Sequence, residues 1–466
     1  MRRGAGPASE PASCAARAAC AVNDKRTRLE RALNRWDLIL YGVIVIQLTA
    51  PMPVFGVLSA RANGHVVTTI LLAMVAMAFT AISYGRMAQA HPSAGSAFTY
   101  VTQEFNPLMG YVTGWAMLMD YVLNPLISIV WCSRAAMNFA PQVPYAVWAV
   151  AFFALFTSVN LVGIKGSARV SGLLAATTGA VVLVFIVCAG WYVWHHHPGS
   201  PEFFTRPFYD PKTFHVGAVL GGTSIAVLTY IGFDGISTLS EEVEDPRRNI
   251  LFATVGTCLV VGILSAVEVY AAQLVWPAAL PFKDIDTAFV EVAARAAGPW
   301  LFVTMNLALL VAGIGSGVGS HLGAARLLYG MGRSNALPPA FFGAVDPKHR
   351  IPRNNVILVG LIALCGAFLI SYGLGAEILN FGALFAYMGV NAAALTRYYV
   401  RNPQRRLRHL WPPAAGFVTC LLLWVNLSNA AKLVGASWMI VGVIVGAVRT
   451  RGFRQGVLRF EVSPED

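Results

Sequence analysis

The segment 227–250, VLTYIGFDGISTLSEEVEDPRRNI, decides the fold that this sequence predicts. It starts as an apolar helix, is interrupted by Gly232-Phe233-Asp234-Gly235, and ends in acids, a proline and two arginines. Each glycine costs a helix interior about 1 kcal/mol relative to alanine. An ionisable side chain at bilayer depth costs roughly 2.5–3.5 kcal/mol even on insertion scales. The pattern therefore predicts a broken membrane helix whose open backbone lines a binding site.

The composition places this segment in a polytopic membrane protein. Of 466 residues, 56% are hydrophobic and 12% are charged, against about 25% charged in soluble domains. The net charge of +12 does not indicate nucleic-acid binding, because the arginines lie between apolar segments. The seven cysteines include no CxxC pair, so we expect neither a disulfide framework nor a metal site. We find no Walker motif and no nucleophile–base pair, so we expect no cofactor, no catalytic residue and no enzyme.

Twelve apolar segments are long enough to cross the membrane. We predict spans at 36–60, 66–88, 107–139, 144–163, 168–194, 215–243, 250–276, 299–330, 354–372, 376–397, 411–428 and 430–448. With the N-terminus inside, 27 of the 34 Lys and Arg residues lie in inner segments and 6 in outer segments. The positive-inside rule therefore predicts two cytoplasmic termini in the cytoplasmic (inner) membrane. Residues 1–35 are expected to form a disordered basic tail and 449–466 a second cytoplasmic tail.

Span 1 contains a second interruption. Pro51 and Pro53 lie in the middle of span 1, in the sequence TAPMP at 49–53. Each removes a backbone donor and clashes with the preceding turn. Interrupted segments five spans apart predict a transporter built from two inverted five-helix repeats. The repeats are expected at 36–194 and 215–397, with two peripheral helices at 411–448.

Several long motifs resemble the amino acid–polyamine–organocation transporters. These motifs are GFDGISTLSEEVEDPRRNI, HPSAGSAFTYVTQEFNPLMGYVTGW and SHLGAARLLYGMGRSNALPPAFFGAVDPKHRIPRNN, in the family's order. Within the family, the chain looks most like bacterial putrescine importers. The resemblance implies an all-α, LeuT-type fold of twelve transmembrane helices, in which the broken middles of spans 1 and 6 hold the substrate.

Two acids are the leading candidates for substrate contact. Asp234 lies in the break of span 6, where it either caps the second half-helix or binds substrate, and both roles can coexist. Asp120 lies about 20 Å along span 3, with no cation nearby on its own helix. The resemblance places Asp120 and Tyr121 at positions that face the substrate. Two carboxylates suit the two ammonium ends of a diamine, although Asp120 can instead be a protonated or interhelically bonded acid.

The remaining candidates surround these acids. Aromatic rings can attract a cation, or serve only in packing. The open backbone of both breaks is expected to contact substrate. Because TAPMP lacks the glycines usual in amino acid carriers, it favours a ligand without a carboxylate. The expected substrate contacts are the aromatic residues Tyr121, Tyr230 and Phe233 and the backbone positions Thr49, Ala50, Pro51, Gly232 and Gly235.

Other polar groups have more peripheral expected roles. Glu241 and Glu242 are expected to form a cytoplasmic gate with the arginines that follow. Glu268 in span 7 can relay protons, whereas Ser316 and Ser320 belong to a small-residue packing stripe that can also hold an ion.

The sequence therefore predicts an alternating-access secondary transporter that imports putrescine or a related diamine, with proton coupling. The alternatives are an amino acid permease and, from another class, a substrate-gated channel or sensor. The expected partners are a small cationic substrate, a proton and the lipid bilayer.

Overall fold

The regular elements of the described chain are helices. The computed structural model describes residues 34–91, 96–162, 168–196, 199–239, 243, 245–277, 280–333, 337–346 and 351–450. The predicted gate residues Glu241 and Glu242 and most of both predicted tails lie outside these residues. The helices are α1 Arg35–Ile46, α2 Phe55–Arg61, α3 Val66–Ala90, α4 Ser96–Glu104, α5 Pro107–Met137, α6 Tyr145–Val162, α7 Ala168–His196, α8 Pro201–Thr205, α9 Val216–Ala226, α10 Pro246–Val275, α11 Ala288–Ala297, α12 Pro299–Arg333, α13 Pro339–Phe342, α14 Arg353–Leu369, α15 Tyr372–Leu395, α16 Leu407–Val425 and α17 Asn429–Arg449.

Nine helical segments of the described chain are long and apolar enough to cross a membrane. This number is smaller than the twelve predicted spans for identifiable reasons. The first predicted span is divided into α1 and α2, of 12 and 7 residues, which are each too short. Helix α14 has 17 residues, and α16 carries two prolines near its start.

Both predicted interruptions are visible as local backbone geometry. Helix α1 ends at Ile46, Gln47 adopts a positive φ of 70°, and turns lead to α2 at Phe55. Helix α9 ends at Ala226, and the chain then forms two 3-10 segments, Val227–Tyr230 and Phe233–Leu239. Gly232, between them, has a φ of 121°, which side-chain-bearing residues rarely adopt. The backbone is therefore irregular at Gly232, as the glycine pair predicted.

Small residues bring the long helices into close contact around α5. A Cβ atom at Gly382 of α15 would collide with the Ala116 carbonyl of α5. Gly317 of α12 packs in the same way against the ring of Phe156. The stripe at 313–319 thus contributes to helix packing, as its small-xxx-small spacing indicated.

The last helix is fastened to α5 by a pair of tryptophans. The rings of Trp115 and Trp438 stack with 5.1 Å between centroids. Each indole N–H donates to the other residue's backbone carbonyl, at 2.9 and 3.0 Å. These reciprocal bonds satisfy both donors in an apolar setting and fix α17 against α5.

A buried acid joins three elements at one end of the bundle. Glu104 at the end of α4 is 2% exposed and accepts bonds from Arg397 at 2.7 Å and Arg401 at 3.2 Å. The ring of His91 lies 2.9 Å from the same carboxylate. Burial alone would raise the pKa of Glu104, but the hydrogen bonds from His91 and Arg397 outweigh it and hold the pKa below its usual value. The cluster therefore ties the end of α3 and α4 to the end of α15.

We expect Glu104→Gln to destabilise the protein by about 1–3 kcal/mol. Removing one partner of a buried ion pair leaves the other charges poorly compensated, and the partial exposure of Arg397 and Arg401 moderates the cost. Thermal unfolding of the purified protein at neutral pH measures this loss. The matched control is Glu202→Gln, because Glu202 and its partner Arg206 are both largely exposed. Equal unfolding temperatures for the two variants would contradict the assigned role of Glu104.

Candidate functional site

A cavity of about 510 Å³ lies between the two interrupted segments. Six of the predicted site residues line it: Thr49, Asp120, Tyr121, Gly232, Asp234 and Gly235. Most of the remaining wall comes from α1, α7 and α12. The structure thus brings the acid of α5 and the acid of the 227–250 segment to one space.

Asp234 is held by the irregular backbone around it. Its Oδ1 atom accepts a hydrogen bond from the Gly232 N–H at 3.2 Å. The Ser237 hydroxyl donates to the Asp234 carbonyl oxygen at 2.7 Å. The side chain therefore bonds to the backbone that precedes it and also lines the cavity, and its role as a cap of the second half-helix stays a prediction.

The two cavity acids lack a cationic partner within the described chain. Asp120 and Asp234 are each 8% exposed. None of the ion pairs between described residues includes either carboxyl group. Buried charge is costly unless it is paired, so this cavity is suited to a positively charged ligand.

Four predicted contacts are not among the residues that line the cavity: Ala50, Pro51, Tyr230 and Phe233. The Tyr230 hydroxyl donates instead to the Ile70 carbonyl at 2.8 Å. The Phe233 ring packs against Tyr84 and Tyr387, with centroids at 5.5 and 5.4 Å. In this arrangement both aromatic residues serve in packing, and their contact with substrate stays a prediction.

Four polar residues of the cavity wall were missed by sequence reasoning: Tyr41, Gln47, Asn124 and Thr178. Asn124 lies one helical turn beyond Asp120, so helical periodicity could have identified it. Gln47 donates to the Ala312 carbonyl at 3.3 Å and joins the end of α1 to α12. Ser316 and Ser320 also line the cavity, and their role in holding an ion stays a prediction.

The cavity lies on the α1 side of the first interruption, and a group of aromatic rings lies on the α2 side. Its lining includes Tyr41 from α1 and Leu174 from the first turns of α7. At the opposite end, the Phe55 ring of α2 packs edge-on against Phe282 at 6.1 Å and Phe289 at 5.5 Å. We call the packed rings of Phe55, Phe282 and Phe289 the aromatic plug.

The segment that precedes α11, beside the aromatic plug, carries an acid with a raised pKa, Asp286. Asp286 lies 3.9 Å and Asp284 4.0 Å from the Arg134 guanidinium, which also stacks over the Tyr145 ring at 5.1 Å. Burial and the neighbouring Asp284 raise the pKa of Asp286 to about 6, and Arg134 only partly opposes them. Protonation of Asp286 therefore favours this closed arrangement over one in which the loop is solvated.

We expect the plug to close more firmly in acid. The stabilisation is present below the ordinary pKa of aspartate and is lost as pH rises through about 6. Amide exchange of residues 280–297, corrected for intrinsic rates, should be at least about threefold slower at pH 5 than at pH 7.5. In Asp286→Asn the difference should vanish, whereas Glu202→Gln should keep it. A wild-type loop that exchanges faster in acid would overturn this account of Asp286.

Comparison with known proteins identifies the family. The family model described as "Amino acid permease" matches residues 38–448, which include both interrupted segments and the cavity. The chain belongs to the amino acid permease family. This family lies within the amino acid–polyamine–organocation superfamily, so the resemblance found in the sequence is confirmed. The permease is a transporter and not an enzyme, and it is a multi-pass membrane protein.

Individual relatives align with this permease over nearly their whole length. The low-affinity putrescine importer PlaP of Escherichia coli (strain K12) is 33% identical over 444 residues, covering 94% of this chain and 98% of the relative. The branched-chain amino acid permease BcaP of Lactococcus lactis is 26% identical, covering 91% and 95%. The methylthioribose transporter of Bacillus subtilis is 25% identical, covering 91% and 94%.

Proposed function

We propose that this permease is a secondary active importer of putrescine or a related diamine. The observation that carries the proposal is the pair of buried acids, Asp120 and Asp234, in one cavity without a cationic partner in the described chain. A diamine carries two ammonium groups and can neutralise both acids. The 33% identity to a putrescine importer supports the same substrate class.

We further infer a LeuT-type architecture of twelve spans in two inverted five-helix repeats. The interruption of the chain at 47–54 and again at 231–232, with both segments lining the cavity, supports this topology. The excess of Lys and Arg in the predicted inner segments supports cytoplasmic termini in the inner membrane. With this orientation the cavity belongs to the cytoplasmic half and the aromatic plug to the outer half.

We propose alternating access because the cavity and the aromatic plug belong to opposite halves of the membrane in this orientation. In the proposed cycle this arrangement is the outer-closed state, in which the plug of Phe55, Phe282 and Phe289 closes the outer path. Helices α1 and α7, which line the cavity, then border it on the cytoplasmic side. The opposite state would separate α2 from the loop at 282–289 and close α1 against α7. Moving one charge down 100 mV is worth about 2.3 kcal/mol, so a dication gains roughly twice that on entry.

Proton coupling has a candidate carrier outside the cavity. Glu268 of α10 is 1% exposed, and its Oε2 atom has no hydrogen-bond partner among the described residues. An ionised carboxylate at such a place would be uncompensated, whereas the acid form could deliver a proton during the cycle. We therefore propose proton symport with Glu268 or Asp120 as carrier.

The second candidate function is amino acid permeation, which the branched-chain amino acid permease among the relatives favours. The segment TAPMP opposes it, because it contains no glycine and its two prolines lack the N–H groups that would bind a carboxylate. Transport measurements with each substrate class separate these candidates.

Uptake by proteoliposomes tests the proposal. With a negative interior potential, the wild-type permease should concentrate labelled putrescine, and an excess of unlabelled leucine should not compete. A pH gradient, acid outside, should increase uptake further if protons are coupled. Competition by leucine but not putrescine would favour the amino acid permease, and flux without accumulation would indicate a channel.

A further inference from the structure

A group of arginines occurs at the end of the bundle where α3 and α16 meet. Arg86 lies near the end of α3, and its guanidinium donates to the Arg408 carbonyl at 3.3 Å. Arg405, Arg406 and Arg408 precede or begin α16 and are exposed. The Tyr398 hydroxyl donates to the Arg86 carbonyl at 2.7 Å and joins the end of α15 to this group. Burial lowers the pKa of His409, and so do the charges of three neighbouring arginines, Arg86, Arg408 and Arg406. These three cationic side chains therefore share one surface.

No acid within the described chain neutralises this group. The ion pairs between described residues do not include Arg86, Arg405, Arg406 or Arg408. One terminal nitrogen of Arg86 is buried and has no hydrogen-bond partner in the part of the chain that the structure describes. The neighbouring acid Glu104 is already bonded to Arg397 and Arg401. Among the described residues, the surface thus has a positive charge that no acid of the chain compensates.

An apolar strip on α3 and α16 begins next to the arginines. The Trp411 ring is 54% exposed and packs edge-on against Phe79, with centroids 5.2 Å apart. Further along the same two helices, Val75 is 47% and Val418 61% exposed. A tryptophan between a polar and an apolar zone is typical of the bilayer interface. The cationic group is thus continuous with a lipid-facing surface.

We propose that Arg86, Arg406 and Arg408 bind the headgroup phosphate of an anionic glycerophospholipid of the inner leaflet. The acyl chains lie along the strip formed by Phe79, Trp411 and Val418. Guanidinium groups suit phosphate because their planar N–H donors match its oxygens. A neutral zwitterionic headgroup is a poorer ligand, because its ammonium group would approach the same arginines. This site is separate from the cavity and does not depend on which substrate is carried.

Native mass spectrometry of the full-length permease with added lipids tests the site. The wild type should retain phosphatidylglycerol at least about fivefold more than phosphatidylcholine. The double variant Arg86→Gln/Arg408→Gln should lose that preference. The control Arg206→Gln/Arg333→Gln removes equal charge from positions away from the arginine group, and it should behave as wild type.

Two further measurements, competition by glycerol phosphate and single arginine variants, distinguish lipid binding from phosphate binding and from misfolding. Millimolar glycerol phosphate should not displace the retained lipid, because it lacks the acyl chains that lie on the strip; full displacement would show a site for free phosphate instead. If the double variant is not monodisperse, the exposed single changes Arg406→Gln and Arg408→Gln should each lower retention. Unchanged retention in these variants, or equal retention of both lipids by wild type, would overturn the proposal.

Discussion

Asp120→Asn and Asp234→Asn should each reduce putrescine uptake by at least about thirtyfold. Each change removes one buried carboxylate that would pair with an ammonium group, and losing one partner of a buried charge pair costs about 2–5 kcal/mol. Asparagine keeps the size and shape of aspartate, so the loss reports charge rather than a cavity. Initial rates of labelled uptake into proteoliposomes measure the effect.

The matched control is Asp37→Asn, which makes the same chemical change at an exposed residue of α1. Its uptake should stay within about twofold of wild type. Circular dichroism should show wild-type helix content in all three variants. Wild-type putrescine uptake by both cavity variants would refute the model in which two carboxylates hold the substrate.

Gly56→Ala should slow transport by at least about fivefold. A Cβ atom at Gly56 of α2 would collide with the Ile285 carbonyl and the Ala288 side chain at the start of α11. In the proposed transport cycle, this segment closes the outer path. Overpacking of this kind costs about 1–3 kcal/mol. Because the clash exists only when α2 approaches the loop, the change should disfavour the outer-closed state and leave the open state unchanged.

Amide exchange and uptake together measure this effect. Residues 280–297 should exchange faster in Gly56→Ala than in wild type, in parallel with the slower uptake. Gly217→Ala is the control, because no atom lies within 4 Å of its added Cβ. Wild-type uptake and exchange in Gly56→Ala would mean that the contact at Gly56 does not participate in closure.

Much of the fold could be predicted because strong local signals mark it. Long apolar segments demand helices in a bilayer, and Gly232 and Pro51 mark the places where a helix cannot continue regularly. Helix ends follow the same logic: Asn34 and Asp37 form a capping box at the start of α1. The division of the first span into two short helices also explains why fewer helices meet the length criterion than the sequence predicted spans.

The site was less predictable, because side-chain direction depends on how helices pack. The sequence identified Asp120 and Asp234 by the cost of burying charge, and both line the cavity. Tyr230 and Phe233 flank Asp234 in the chain, but their rings point into helix packing. The contribution of Gln47 comes from a contact with α12, 265 residues away, which no local pattern reveals.

Binding measurements with a diamine and a monoamine test the central claim most directly. Isothermal titration of the purified permease gives dissociation constants for putrescine and butylamine, which differ in the second ammonium group. We predict that wild type prefers putrescine by at least about thirtyfold, and that Asp120→Asn and Asp234→Asn each reduce the preference to below about threefold. A wild-type preference that persists in both variants would contradict the claim that these two acids hold the two ends of a diamine.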